Sequence, residues 1–141
     1  MRDFSKVLRE QGISQYLGID IYEPSLEKAG KKHPREKFLK IDLLNQSPGK
    51  FDYVFCSGAL STRFDTDNYK FMEAMIRKMW NLAKIGVAFN FLVGIAKDPD
   101  IFHYSYNVVE AMCKKIMRNN GILNSSRNDI DEAHMYLTRV V

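Results

Sequence analysis

The sequence has few of the residues that mark disulfide-rich, membrane-spanning or metal-binding proteins. Only 2 of its 141 residues are cysteines. Cys56 lies in an apolar run and Cys113 on an apolar helical stripe, so we expect small buried hydrophobes rather than disulfide partners. No apolar run approaches the roughly 20 residues of a membrane helix, and no Cys/His cluster has the spacing of a zinc site. We therefore expect no membrane span and no metal.

The sequence also lacks a strong charge of either sign. Its net charge is +4, with 27% charged residues, which is too small an excess to favour a nucleic-acid partner. Basic residues do cluster between Lys28 and Lys40, interrupted by Glu27 and Glu36. We interpret this cluster as a solvated surface, with attraction of an anionic partner as the alternative. The reduced cysteines and a charged N-terminal segment without an apolar signal core predict a cytoplasmic protein.

The hydrophobic content of 45% is sufficient for a core, and the length predicts a single domain, residues 1–141. Strand-like apolar runs alternate with helical periodicity along most of the chain. This alternation predicts an α/β fold, with a mostly parallel sheet and helices on both faces. The segments "ILNSS" and "HMYLTRVV" have only a turn at Asn128–Asp129 between them, so they predict an antiparallel pair at the C-terminus. Strands are predicted at 16–21, 38–41, 53–56 and 87–93, and helices over 4–12, after Pro24, over 68–84 ending at Gly86, and around 108–116 ending at Gly121. The apolar stripes of the last two helices are Met72, Ile76, Met79 and Ala83, and Val108, Val109, Met112 and Ile116.

Polar residues follow three successive predicted strands. Asp20 ends the first strand, Asp42 follows the second, and Ser57-Gly58 in "CSGAL" follows the third. In an open α/β sheet the ligand lies outside the carboxyl ends of the strands. Each carboxylate could instead cap the helix that comes after it. Three suitable strand ends in the correct order favour a nucleotide-like ligand.

Four segments, in this order, carry a resemblance to a known family: "YLGIDIYEPSLEKA", "FLKIDLL", "FDYVFCSGALS" and "GVAFNFLVG". Over nearly its whole length the sequence resembles the class I, Rossmann-like S-adenosylmethionine-dependent methyltransferases. The resemblance implies S-adenosylmethionine as cofactor and a small-molecule methyl acceptor. In that family the second-strand acid binds the ribose, the third-strand acid contacts the adenine amine, and the fourth-strand segment flanks the methionine end. The residues carried over are Asp20 with Ile21, Asp42 with Leu43, and Ser57 with Gly58.

Methyl transfer is an in-line displacement that depends chiefly on alignment, and a base is needed only when the acceptor must lose a proton. His103 and Tyr104, in "IFHYS", are the candidate catalytic residues because this segment resembles one that some family members place near the acceptor. A packing role for His103 is the alternative. We interpret His134 as structural. Asn90 is a polar residue in an apolar strand and therefore needs a hydrogen-bond partner.

The family's first strand and its glycine-rich loop are not in this sequence. Such loops precede the ribose acid by roughly 20 residues, and Asp20 is residue 20. The interpretations are an N-terminally truncated fragment, which we favour, a decayed enzyme, or a chain completed by another chain. We expect the 141 residues alone to bind the cofactor weakly. We also expect the unpaired strands to be hidden by rearrangement or in a homo-oligomer that covers the missing strand.

Two other function classes stay open at this point. A non-catalytic methyltransferase-like domain that binds a partner or nucleotide is favoured by the missing glycine loop. A flavodoxin-like or nicotinamide-binding domain shares the strand-end acids, but "CSGAL" and the closing strand pair fit methyltransferases better. The retained residues Asp20, Asp42 and Ser57-Gly58 favour the enzyme.

Overall fold

The computed structural model describes residues 4–128 and 131–140. Contacts divide the chain into two compact units, residues 1–48 and 49–141. The single-domain organisation remains a prediction. The elements are α1 (Phe4–Glu10), β1 (Leu17–Asp20), α2 (Glu23–Lys32), β2 (Lys37–Lys40), β3 (Phe51–Cys56), α3 (Asn68–Leu82), β4 (Ala83–Leu92), α4 (Tyr106–Met117), β5 (Gly121–Arg127) and β6 (Glu132–Arg139).

The first unit is built on a two-stranded parallel sheet. Strand β1 pairs with β2, with Asp20 opposite Lys40 at their carboxyl ends. Helix α2 packs on both strands and has proline in its first turn, where a missing N–H costs nothing. No residue of α2 is fully buried. Helix α1 ends as predicted at Gly12, whose φ of +80° suits glycine.

The second unit is a four-stranded sheet in the order β3–β4–β6–β5. Strands β3 and β4 are parallel, and β6 runs antiparallel to both of its neighbours. The predicted antiparallel closing pair is therefore confirmed. The turn was predicted at Asn128–Asp129. The Asn128 N–H donates to the Glu132 carbonyl oxygen at 3.0 Å, whereas Asp129 lies outside the described residues.

Helices α3 and α4 pack on each other and on the strands of this sheet. The predicted stripe of α3 is confirmed, because Met72, Ile76 and Met79 are all buried. The stripe predicted for α4 is only partly right, since Val109 and Ile116 are buried but Val108 is 46% exposed. Cys113 is buried, as expected. The sheet contributes buried side chains from alternate positions of β4 and β6: Val87, Phe89, Phe91, Ala133, Met135 and Leu137.

Two glycines predicted to end helices lie inside strands instead. Helix α3 passes directly into β4 through Ala83, whose backbone is extended. Gly86 lies within β4, where a Cβ atom would be 3.0 Å from the Leu137 carbonyl oxygen. Gly121 begins β5, and a Cβ there would be 2.6 Å from the Met117 sulfur. Both predictions were wrong because close packing, which the local sequence does not reveal, requires these glycines.

No helix within residues 4–128 and 131–140 combines the length and apolarity needed to cross a bilayer.

Candidate functional site

Asp20 lies exposed at the carboxyl end of β1. Its Oδ1 accepts a hydrogen bond from the Tyr22 N–H at 3.0 Å, a side-chain turn that leads into α2. Within the described residues, no hydrogen bond reaches its Oδ2. One oxygen thus holds the turn that precedes α2, and the other is available to a ligand.

Two large side chains next to Asp20 are open to solvent. Ile21 is 66% exposed and Tyr22 is 62% exposed. An aliphatic and an aromatic surface beside an unoccupied carboxylate oxygen suit a ligand with a flat ring and hydroxyl groups.

Asp42 follows β2 and organises a turn with its carboxylate. Its Oδ1 accepts from the Leu44 N–H at 3.2 Å and its Oδ2 from Asn45 Nδ2 at 2.6 Å. Its own N–H donates to Gln46 Oε1 at 2.9 Å. These contacts hold a turn and cap no helix, because residues 41–50 between β2 and β3 contain none. The predicted adenine contact of Asp42, with half-buried Leu43 beside it, stays a prediction.

Ser57 and Gly58 form the turn after β3, and Asn90 of β4 holds both of them. Asn90 Oδ1 accepts from the Gly58 N–H at 2.8 Å, and Asn90 Nδ2 donates to Ser57 Oγ at 3.2 Å. Gly58 has a φ of +77°, a conformation that favours glycine. The partner that Asn90 requires is thus the predicted cofactor-contacting turn.

Two side chains of β6 extend this cluster and were not among the predicted site residues. Asn90 Nδ2 also donates to Glu132 Oε1 at 2.7 Å. His134 Nε2 lies 3.4 Å from the same oxygen, and the His134 ring stacks on Tyr136 at 6.4 Å between centroids. The pairing of Asn90 with His134 across β4 and β6 creates this cluster. Only the register of two strands distant in sequence could have revealed it.

His103 lies just after β4 and is half-buried. Its Nδ1 is 2.8 Å from the Val93 carbonyl oxygen. Because a carbonyl only accepts, this contact assigns a proton to Nδ1. In the neutral ring the lone pair is then on Nε2, which is the tautomer that could receive a proton there.

Tyr104 is 1% exposed. Its hydroxyl donates to the Leu60 carbonyl oxygen at 2.6 Å and accepts from Asn68 Nδ2 at 3.3 Å. Burial raises the pKa of Tyr104, so the phenol stays protonated. Through its bond to Leu60, the Tyr104 hydroxyl holds the loop after β3. A catalytic role for Tyr104 remains a prediction.

The two cysteines are poor nucleophiles. Burial raises the pKa of Cys56 to about 11 and that of Cys113 to about 12. A thiol reacts through its thiolate, so both side chains are inert near neutral pH. This agrees with their expected role as small hydrophobes, since both are free. Within the described residues, no group of three or more His, Cys, Asp or Glu side chains is arranged to hold a metal ion.

Comparison with known families gives one match along the chain. A family model described as a methyltransferase domain matches residues 3–86. Among curated protein sequences, none matches this chain.

Several solved structures resemble the fold. Magnesium protoporphyrin IX methyltransferase (ChlM) from Synechocystis PCC 6803 with bound SAH gives a TM-score of 0.73 at 16% identity, over 92% of this chain and 66% of that one. The same enzyme with bound SAM gives 0.69 at 18% identity, over 92% and 62%. A TehB-like SAM-dependent methyltransferase from Corynebacterium glutamicum ATCC 13032 gives 0.68 at 12% identity, over 94% and 72%. The chain spans less than two thirds of the ChlM chains, and the likeness confirms the Rossmann-like α/β class.

Proposed function

Because the chain belongs to the methyltransferase domain family, we propose that it binds S-adenosylmethionine and takes part in methyl transfer to a small-molecule acceptor. The observation that carries the proposal is Asp20, whose Oδ2 is available at the carboxyl end of β1. The match to the family over residues 3–86 supports the same reading.

The residues present fit the chemistry of this cofactor. The ribose hydroxyls are hydrogen-bond donors, and Asp20 offers them a charged acceptor. The exposed Ile21 and Tyr22 beside it offer surfaces for the adenine ring. When bound, S-adenosylmethionine supplies an electrophilic methyl group on a sulfonium. The contribution of the protein is then alignment of that group with the acceptor.

His103 is the proposed base for an acceptor that must lose a proton. Its Nδ1–H donates to the Val93 carbonyl oxygen at 2.8 Å, which orients the ring and places the lone pair of the neutral form on Nε2. A hydroxyl or amine acceptor within hydrogen-bond reach of Nε2 could transfer its proton there. An acceptor that needs no deprotonation would be methylated without His103.

Calorimetric titration of the chain with S-adenosylmethionine and S-adenosylhomocysteine tests the proposal. Asp20→Asn keeps an acceptor for the Tyr22 N–H and removes the charge, whereas Asp20→Ala removes both. Loss of a charged hydrogen bond costs about 1.5–3 kcal/mol, so both variants should lose about tenfold or more in affinity. Glu23→Ala is the matched control, since the Glu23 carboxylate is exposed and pairs with Lys40 at 3.3 Å.

Unchanged affinity in both Asp20 variants would remove Asp20 from the site. Binding of a nicotinamide or flavin nucleotide in place of both sulfonium-derived ligands would overturn the proposed function.

We also propose that a second copy of the chain pairs along β3, the edge strand of the four-stranded sheet of the second unit. The unpaired edge of a strand favours association with another chain. Light scattering at several concentrations should show a dimer that Tyr53→Lys weakens. A monomer at every concentration would contradict it.

A further inference from the structure

We propose that Asn90 is a positioning residue that holds the Ser57-Gly58 turn in the conformation the cofactor requires, and that Glu132 orients the Asn90 amide. That Asn90 holds the turn is inferred from contacts within the second unit alone. The effect on the cofactor rests on the proposed function.

The hydrogen bonds around Asn90 leave only one orientation for its amide. Glu132 Oε1, at 2.7 Å, can only accept, so it must face the Asn90 NH₂ group. The Gly58 N–H, at 2.8 Å, can only donate, so it must face Asn90 Oδ1. Ser57 Oγ accepts the second amide proton at 3.2 Å. Two partners of opposite character, one at each end of the amide, thus fix the amide plane against the turn.

The turn itself needs such support. Gly58 has a φ of +77°, and an ideal Cβ at Gly58 would meet no atom within 4 Å. The surroundings therefore do not force this conformation by steric contact. Without Asn90, the Gly58 N–H would lose its only hydrogen bond within the described residues. Asn90 is well placed for this contact because Cys56 pairs with Phe89, its neighbour on β4.

The position of Asn90 within β4 indicates a specific role. Phe89 and Phe91, on either side of it, are 3% and 2% exposed and face the core. Asn90 lies on the opposite, half-buried face, beside Glu132 and His134 of β6. A polar side chain there that bridges one turn to a carboxylate on β6 fixes the position of that turn relative to the sheet.

Swapping the amide and the carboxylate between positions 90 and 132 tests this inference. In Asn90→Asp the acceptor for the Gly58 N–H remains, but a second carboxylate then faces Glu132 Oε1 at the 2.7 Å contact. Repulsion should displace the side chain. Adding Glu132→Gln supplies an amide donor to the new carboxylate, and the Ser57 hydroxyl can reverse to donate. Glu132→Gln alone is the control, since its amide oxygen can still accept from Asn90.

The first readout is hydrogen exchange at the Gly58 amide, which needs no ligand. Asn90→Asp should speed exchange about tenfold or more, corresponding to loss of one hydrogen bond, and the double variant should restore protection. A merely structural loss would not recover in the double variant.

The second readout is the affinity for S-adenosylhomocysteine in the same variants. It should fall in Asn90→Asp and recover in the double variant. Unchanged hydrogen exchange at Gly58 in Asn90→Asp would show that Asn90 does not hold the turn. Faster exchange with unchanged affinity would overturn the cofactor role of the turn. No binding by the wild-type chain, even at ligand concentrations high enough to detect the weak binding expected of these residues, would overturn the proposed function and that cofactor role together. The exchange data would still decide whether Asn90 holds the turn.

Discussion

The two compact units of this chain bury their side chains to very different degrees. Within the described residues of the first unit, only Ser5 and Leu8 are buried, whereas the second unit has a core drawn from α3, α4, β4 and β6. Yet Asp20 and Asp42, the predicted ribose and adenine contacts, lie on the first unit. The apolar core and the proposed ribose and adenine contacts therefore lie in different parts of the chain.

The cause of the difference is the pattern along the elements. Strand β4 buries Val87, Phe89 and Phe91 on one face, and α3 packs on this strand. Helix α2 offers only the half-buried Leu26 and Ala29 along its inner face. Because burial of apolar area is the main favourable contribution to folding, the second unit should contribute most of the stability of the chain.

The largest expected effect is that of Phe91→Ala. Removing this buried ring should lower the free energy of unfolding by about 3–5 kcal/mol, from lost transfer energy and the cavity left behind. Trp80 is the only tryptophan of the chain and belongs to the second unit, so its fluorescence in urea measures this loss directly.

Phe38→Ala in β2 is the matched control for Phe91→Ala. Phe38 is half-buried and contacts the Tyr16 ring edge-on at 6.2 Å. Phe38→Ala should leave the urea midpoint of the Trp80 fluorescence transition nearly unchanged. Equal shifts from the two variants would break the comparison, because they would mean that both units unfold as one.

A smaller effect is expected for Tyr104→Phe. It removes the donor to the Leu60 carbonyl oxygen at 2.6 Å and leaves that oxygen without this bond. The cost should be about 1–3 kcal/mol of stability, again in the Trp80 transition. Full stability together with lost methyl transfer would instead support the predicted catalytic role of Tyr104.

The next expected effect is a fall in stability at alkaline pH. Burial raises the pKa of Cys56 to about 11 and of Cys113 to about 12 in the folded chain, against 9.0 for the ordinary thiol. The unfolded state therefore loses its thiol protons first, and stability is present below pH 9 and declines above it. Between about pH 8 and 9.5 the loss should be on the order of 1 kcal/mol.

Replacement of both cysteines by alanine should flatten this alkaline decline, and that pH profile in urea is the measurement. Rapid alkylation of either thiol in the folded chain at pH 8 would contradict the assigned burial.

The parts of this structure that the sequence predicted well are those with a local period. The Met72–Ile76–Met79 stripe, the strand-end position of Asp20 and the closing hairpin all depend on neighbours in sequence. Gly86 was wrongly assigned to a helix end because its role depends on the approach of Leu137 from a distant strand. The Asn90–Glu132 contact needed the register of β4 and β6, which no local pattern contains.

Asp42→Asn is expected to have the smallest effect on stability and is the sharpest test of the difference between the units. Asparagine forms the same kind of side-chain turn as aspartate, and it can still accept from the Leu44 N–H, which lies 3.2 Å from Oδ1. The free energy of unfolding should therefore change by less than about 0.5 kcal/mol, as for an ordinary surface substitution. If the carboxylate contacts the adenine amine, affinity for S-adenosylhomocysteine should fall about tenfold through loss of a charged acceptor. Asn45→Ala is the matched control, since it removes the 2.6 Å partner of Oδ2 and keeps the carboxylate. A loss of stability without a loss of affinity would show that Asp42 serves its turn alone, and would leave Asp20 as the first unit's one proposed carboxylate contact.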